Sequence, residues 1–201
     1  MRPRWNNTND GYGWPAVSLH WLMLALIAAA YASMELKEVF PKGSAGREAM
    51  ATWHYMLGLS VFFLVWLRLA VRLAGSTPQV IPSLPAWQAR VATWVHWTLY
   101  ALMLALPLIG WITLGAKGSV IPFFGAQLPA LVAENRERAK WLKEIHETLA
   151  SAGYFVIGLH AAAALFHHYV KQDNTLRLMG IGGAKAQDAS SRAQTASGRK
   201  K

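Results

Sequence analysis

Polar and apolar positions along the chain separate into four long blocks. Val17–Met34, Thr52–Leu67, Val91–Ala116 and Thr148–Val170 contain no Asp, Glu, Lys or Arg, so every charge falls outside them. A helix that crosses a bilayer needs about 20 mostly apolar residues, with a lower limit near 17. The first two blocks are short by that measure. Tyr12, Trp14, Trp53 and Arg68 extend them through interfacial anchoring and snorkelling. The third block runs for 26 residues without a charge, which argues against a soluble bundle. The pattern predicts an all-α fold, an integral membrane four-helix bundle. It divides into an N-terminal segment (1–16), a membrane domain (17–170) and a tail (171–201).

The connections carry their own signals. "STPQVIPSLPAWQ" holds three prolines and is expected to be extended. "GSVIPFFGAQLPAL" reads as interfacial, and "AENRERAKWLKEIHE" as a short helix leading into the last span. Pro107 is expected to kink the third helix, with neighbouring groups satisfying the carbonyl it frees. From residue 181 the chain is rich in Ala, Ser, Gly and Lys without an apolar face, a composition that predicts disorder.

Charge orients the bundle. Lys and Arg number two in the N-terminal segment, three in 68–90 and seven in 171–201, against three in 35–51 and five in 117–147. The excess on the terminal side predicts both termini in the cytoplasm. The net charge of +10 then faces lipid and cytoplasm. The expected partner is the bilayer, and nucleic acid is not.

With no cysteine in the chain, disulfides, iron–sulfur clusters and thiolate ligands are excluded. A bound metal would be held by histidine. Histidine inside a membrane span is a functional hypothesis by default. In "EIHETLASAGYFVIGLHAAAALFHHY", His146 and His160 are 14 residues apart, which puts them within about 40° of one helix face and roughly 21 Å apart along the axis. Gly153 lies midway on that stripe and His167 continues it. The stripe suits two flat cofactors stacked along the helix. Haem iron held by the protein alone takes two axial ligands, commonly imidazole. Matching by depth pairs His54 with His146 near the outer side, and His20 with His160 nearer the cytoplasm. Gly58, four residues after His54, gives a porphyrin room to approach. Arg68 and Arg72 share the His54 face at its cytoplasmic end, where propionates of the inner haem would lie. With both pairs complete, His96 reads as a propionate or interface contact. His167 and His168 read either as interfacial polar caps or, for His167 on the haem face, as a quinone or proton-handling site.

Four stretches carry a family resemblance: "SLHW", "RLAVRL", "LALPLIGW" and "HETLASAGYFVIGLHAAAALFHHYVKQDNTLRLM". Over about residues 14–180 the chain resembles the bacterial cytochrome b561 family. The resemblance implies a four-helix protein of the bacterial inner membrane with two b-type haems, ligated at His20, His54, His146 and His160. It also implies exchange of electrons with the ubiquinone pool, and a superoxide oxidase that passes the electron to ubiquinone. Superoxide is a small anion. Arg136, Arg138, Lys140 and Lys143, with Lys117, would steer it toward the outer haem, although the interleaved Glu134, Glu137, Glu144 and Glu147 also fit a solvated amphipathic segment. The competing reading is a haem b quinone-reactive subunit, or an anchor, of a larger dehydrogenase complex with a partner redox subunit.

Overall fold

The computed structural model describes residues 5–9 and 11–181. The disorder expected toward the C-terminus falls on residues 182–201, outside the described residues. Four long helices dominate: α1 (Trp14–Lys37), α2 (Ala45–Ala74), α3 (Ala86–Ala116) and α4 (Arg136–Tyr169). All four are long and apolar enough to cross a membrane. At 24 to 34 residues each, they span roughly 36–51 Å, more than the hydrocarbon core, so their ends reach the headgroup region.

Local chemistry sets the helix starts. Pro15 sits in the first turn of α1, where its missing N–H costs nothing. The Ser44 side chain caps α2 by accepting from the Arg47 amide at 3.3 Å, and Asn135 caps α4 by accepting from the Arg138 amide at 2.9 Å. Arg47 also ties α1 to α2. Its guanidinium donates to the Lys37 and Phe40 carbonyls at 3.1 Å and to Glu38 Oε1 at 2.7 Å. That hydrogen bond holds the Glu38 carboxyl below its ordinary range.

The packing is uneven in a way that matters for function. One apolar cluster joins Met23 of α1, Val61 and Val65 of α2 and Tyr100 of α3. A second joins Leu59, Leu114 and Ile121. Helix α4 packs on α3, but no Cα of α4 comes within 8 Å of a Cα of α1 or α2. Packed helix axes ordinarily stand 8–10 Å apart, so α4 is linked to α1 and α2 only by long side chains.

The structure gives two connections a form that the sequence reading did not specify. The stretch read as interfacial forms an antiparallel hairpin, β1 (Ile121–Phe123) with β2 (Ala126–Leu128). It turns at Phe124 and Gly125, both with positive φ, and Ile121 drops into the second apolar cluster. The stretch read as a short lead-in helix is the start of α4 itself, unbroken from Arg136. After α4, a short helix α5 (Thr175–Leu178) packs back on it. Trp21 Nε1 donates to the Met179 carbonyl at 3.0 Å, fastening this segment to α1.

Candidate haem-binding site

Histidines from different helices meet at two levels in the bundle. Toward the α1–α2 turn, the His54 and His146 rings have centroids 6.1 Å apart. Toward the chain termini, the His20 and His160 rings are 6.3 Å apart. Two imidazoles on opposite sides of one metal, each bound at about 2 Å through a nitrogen about 1 Å from its ring centre, have centroids roughly 6 Å apart. Both pairs match that span. His146 and His160 share one continuous helix, so the levels are roughly 21 Å apart along it.

The surroundings fit a flat group with anionic arms. At Gly58 an added Cβ would meet nothing within 4 Å, so α2 presents a flat surface one turn from His54. His54 Nδ1 lies 2.9 Å from the Ala30 carbonyl. A carbonyl only accepts, so the proton is on Nδ1 and Nε2 keeps its lone pair, as a metal ligand requires. His146 Nδ1 is buried without a hydrogen-bond partner among the described residues. Its ring edge faces Gly110 of α3, where an added Cβ would lie 3.4 Å from Cε1.

At the second level Arg68 Nη2 lies 2.9 Å from His20 Nδ1. A guanidinium only donates, so here the proton belongs on Nε2. Among the described residues Arg68 Nε and Nη1 are buried without partners, which is costly for a cation in this setting. An anionic group would draw the guanidinium off His20, free that ring to ligate and satisfy the two remaining donors. Arg72 stands nearby over the Tyr100 ring at 5.5 Å. Tyr12 completes the cluster, with burial pushing its phenol above the usual value while Arg72 pulls the other way. Together these features fit two haems, with imidazoles for iron and arginines for propionates.

Other expected residues fall as follows. Arg136, Arg138, Lys140 and Lys143 are all exposed on the opening turns of α4, and Lys143 pairs with Glu147 at 2.6 Å. Gly153 is buried, and what an added Cβ would meet there is Tyr31 Oη at 2.5 Å. Tyr31 Oη donates to the Ala150 carbonyl at 2.9 Å, and Tyr154 Oη to Glu35 Oε1 at 2.9 Å. These bonds bridge α1 and α4 between the two histidine levels. His167 Nδ1 lies 3.1 Å from Asp173 Oδ2.

In the sequence His96 reads as a propionate or interface contact. The structure puts its ring 5.4 Å from that of His160, making a third histidine at this level. Gly110, Tyr12, Tyr100 and Asp173 also went unnoticed as site residues. Only Gly110, three residues beyond the helix-interior Pro107, carried a sequence signal.

The chain is similar to known proteins over most of its length. A family model described as prokaryotic cytochrome b561 matches residues 11–182. The chain is 43% identical over 163 residues to cytochrome b561 homolog 1 of Escherichia coli, covering 81% of this chain and 93% of that one. It is 38% identical over 163 residues to a Yersinia pestis protein named probable superoxide oxidase CybB, covering 81% and 92%. Cytochrome b561 homolog 2 of Escherichia coli is 25% identical over 174 residues, 86% of this chain and 93% of that one.

Proposed function

The chain belongs to the prokaryotic cytochrome b561 family, a family of haem b membrane proteins that transfer electrons, and on that premise we propose that it oxidises superoxide on one side of the bacterial inner membrane and reduces ubiquinone on the other. The observation that carries this reading is the pair of histidine couples, at 6.1 and 6.3 Å, set at two levels of the bundle. Two bound haems would supply one-electron carriage between those levels.

The chain's own residues supply the rest. His54 and His146 would hold the outer group, and the Ala30 carbonyl, accepting from His54 Nδ1, leaves Nε2 free to ligate. His20 and His160 would hold the inner group, with Arg68 and Arg72 available for its carboxylates. The exposed Arg136, Arg138 and Lys140 raise the local concentration of a small anion at the outer end of α4. Both termini lie in the cytoplasm, the orientation that the Lys/Arg excess on their side favours. Two superoxide ions give two dioxygen molecules and two electrons, and one ubiquinone takes those electrons with two protons. His167, at the end of α4 nearest the termini, hands on the protons in this reading. The name of the Yersinia relative supports superoxide as the donor.

The test is superoxide-driven quinone reduction by the purified protein alone. Quinol should form in proportion to superoxide consumed, with no other protein added. Haem reduction that needs a partner dehydrogenase would favour the quinone-reactive subunit instead.

A further inference from the structure

The end of α4 holds an arrangement that the haem sites do not use. The chain leaves the helix through Gln172 at φ 55° and turns back, so Asp173 meets the last helical turn. Asp173 is only 2% exposed. A buried carboxylate is costly unless every lone pair it presents is engaged. Here Oδ1 accepts from the Thr175 amide at 2.9 Å, and Oδ2 lies 3.1 Å from His167 Nδ1. The Asp173 carbonyl also lies 3.2 Å from His168 Nδ1. Neighbouring contacts make the turn rigid. Asn174 exchanges backbone and side-chain hydrogen bonds with Ile81 and Gln79 of the α2–α3 connection, and Leu176 is buried.

We propose that Asp173 is a positioning residue for quinone reduction: its carboxylate accepts a hydrogen bond from His167 Nδ1–H, so that Nε2 alone takes a proton from the cytoplasm and passes it to the quinone oxygen. The inference rests on the reading of His167 as the proton donor in the previous section. An oriented imidazole backed by a carboxylate keeps one tautomer and stabilises the imidazolium that forms when Nε2 is protonated. Each turnover uses the relay twice. Two electrons arrive by way of the inner site, two protons cross from Nε2, and the quinone leaves as quinol. A carboxylate serving only to end the helix would not need to engage a histidine.

The experiment uses full-length, haem-loaded protein carrying Asp173→Asn or His167→Gln, with ubiquinone-1 as acceptor and stopped-flow detection of haem reoxidation. Asparagine has the same shape and can still accept from the Thr175 amide, but cannot stabilise an imidazolium. For Asp173→Asn the maximal reoxidation rate should fall about tenfold to a hundredfold, the range typical of lost support behind a working imidazole. KM for quinone should stay within about twofold, and the solvent deuterium isotope effect should rise as proton transfer becomes limiting. His167→Gln should fall at least as far. Haem content and reduction by superoxide should be unchanged in both. If His167→Gln slows reoxidation and Asp173→Asn does not, the positioning role is overturned while the site at His167 stands. If neither slows it, both are overturned. A rise in KM alone, with an unchanged isotope effect, would make Asp173 a structural residue only.

Discussion

The Gly153→Ala substitution gives a sharp test of how α4 approaches α1. An alanine Cβ at 153 would lie 2.5 Å from Tyr31 Oη, against ordinary contacts that begin at 3.4 Å, so roughly 0.9 Å has to open. Tyr31 cannot yield freely, because its hydroxyl donates to the Ala150 carbonyl. Overpacking of this kind costs about 1–3 kcal/mol, and displacing the hydroxyl forfeits a hydrogen bond worth about 1 kcal/mol. Against this, alanine is favoured over glycine within a helix by about 1 kcal/mol. The net expectation is a loss of about 1–3 kcal/mol. In a Tyr31→Phe background the clash disappears, since the ring's Cζ is 3.8 Å from the added Cβ. There only the propensity remains, and Gly153→Ala should stabilise by up to about 1 kcal/mol. Equilibrium unfolding of the four proteins in mixed micelles gives the coupling from a double-mutant cycle. Equal effects of Gly153→Ala in both backgrounds would refute the reasoning. A cost that persisted in the Tyr31→Phe background would instead mean that Gly153 faces a bound porphyrin.

Three further outcomes are expected. Replacing His54 or His146 by Ala should remove mainly one haem, and replacing His20 or His160 mainly the other; reduced-minus-oxidised spectra of the purified variants distinguish the two losses. Arg68→Met should lower retention of the inner haem on dilution, because two buried guanidinium donors would be lost to its propionates, and haem-transfer kinetics to apomyoglobin measure this. Neutralising Arg136, Arg138 and Lys140 together should slow haem reduction by superoxide and flatten its salt dependence, because exposed charges are screened over about 8 Å at physiological salt. Stopped-flow traces should then show quinone-driven reoxidation unchanged.

How much of this was legible in the sequence depends on what each feature rests on. The four spans follow from uncharged blocks, and the membrane leaves little else they can be. The two histidine levels were legible because helical rise is regular: once α1, α2 and α4 are laid across the membrane in alternating directions, position along each helix sets depth. The same arithmetic extends to His96. It lies ten residues into α3, which begins at Ala86, much as His160 lies nine residues from the end of α4 at Tyr169. With both pairs complete, it reads from the sequence as a propionate or interface contact rather than an iron ligand. Contacts that depend on side-chain reach were hidden. Nothing in the spacing says that the Tyr31 hydroxyl fills the notch at Gly153, or that Arg68 reaches across to His20. Asp173 was hidden for another reason. Its meeting with His167 depends on a single left-handed residue, Gln172, a conformation that non-glycine side chains rarely adopt. The hairpin was missed because three-residue strands give too short an alternation to read.

The central claim is that one chain holds two haems, each between a pair of histidines on different helices. Pyridine haemochrome determination against quantitative amino-acid analysis of the purified protein tests it most directly. Two haems b per chain are predicted, falling to one when His146 alone is replaced. One haem per chain in the unaltered protein would contradict the account.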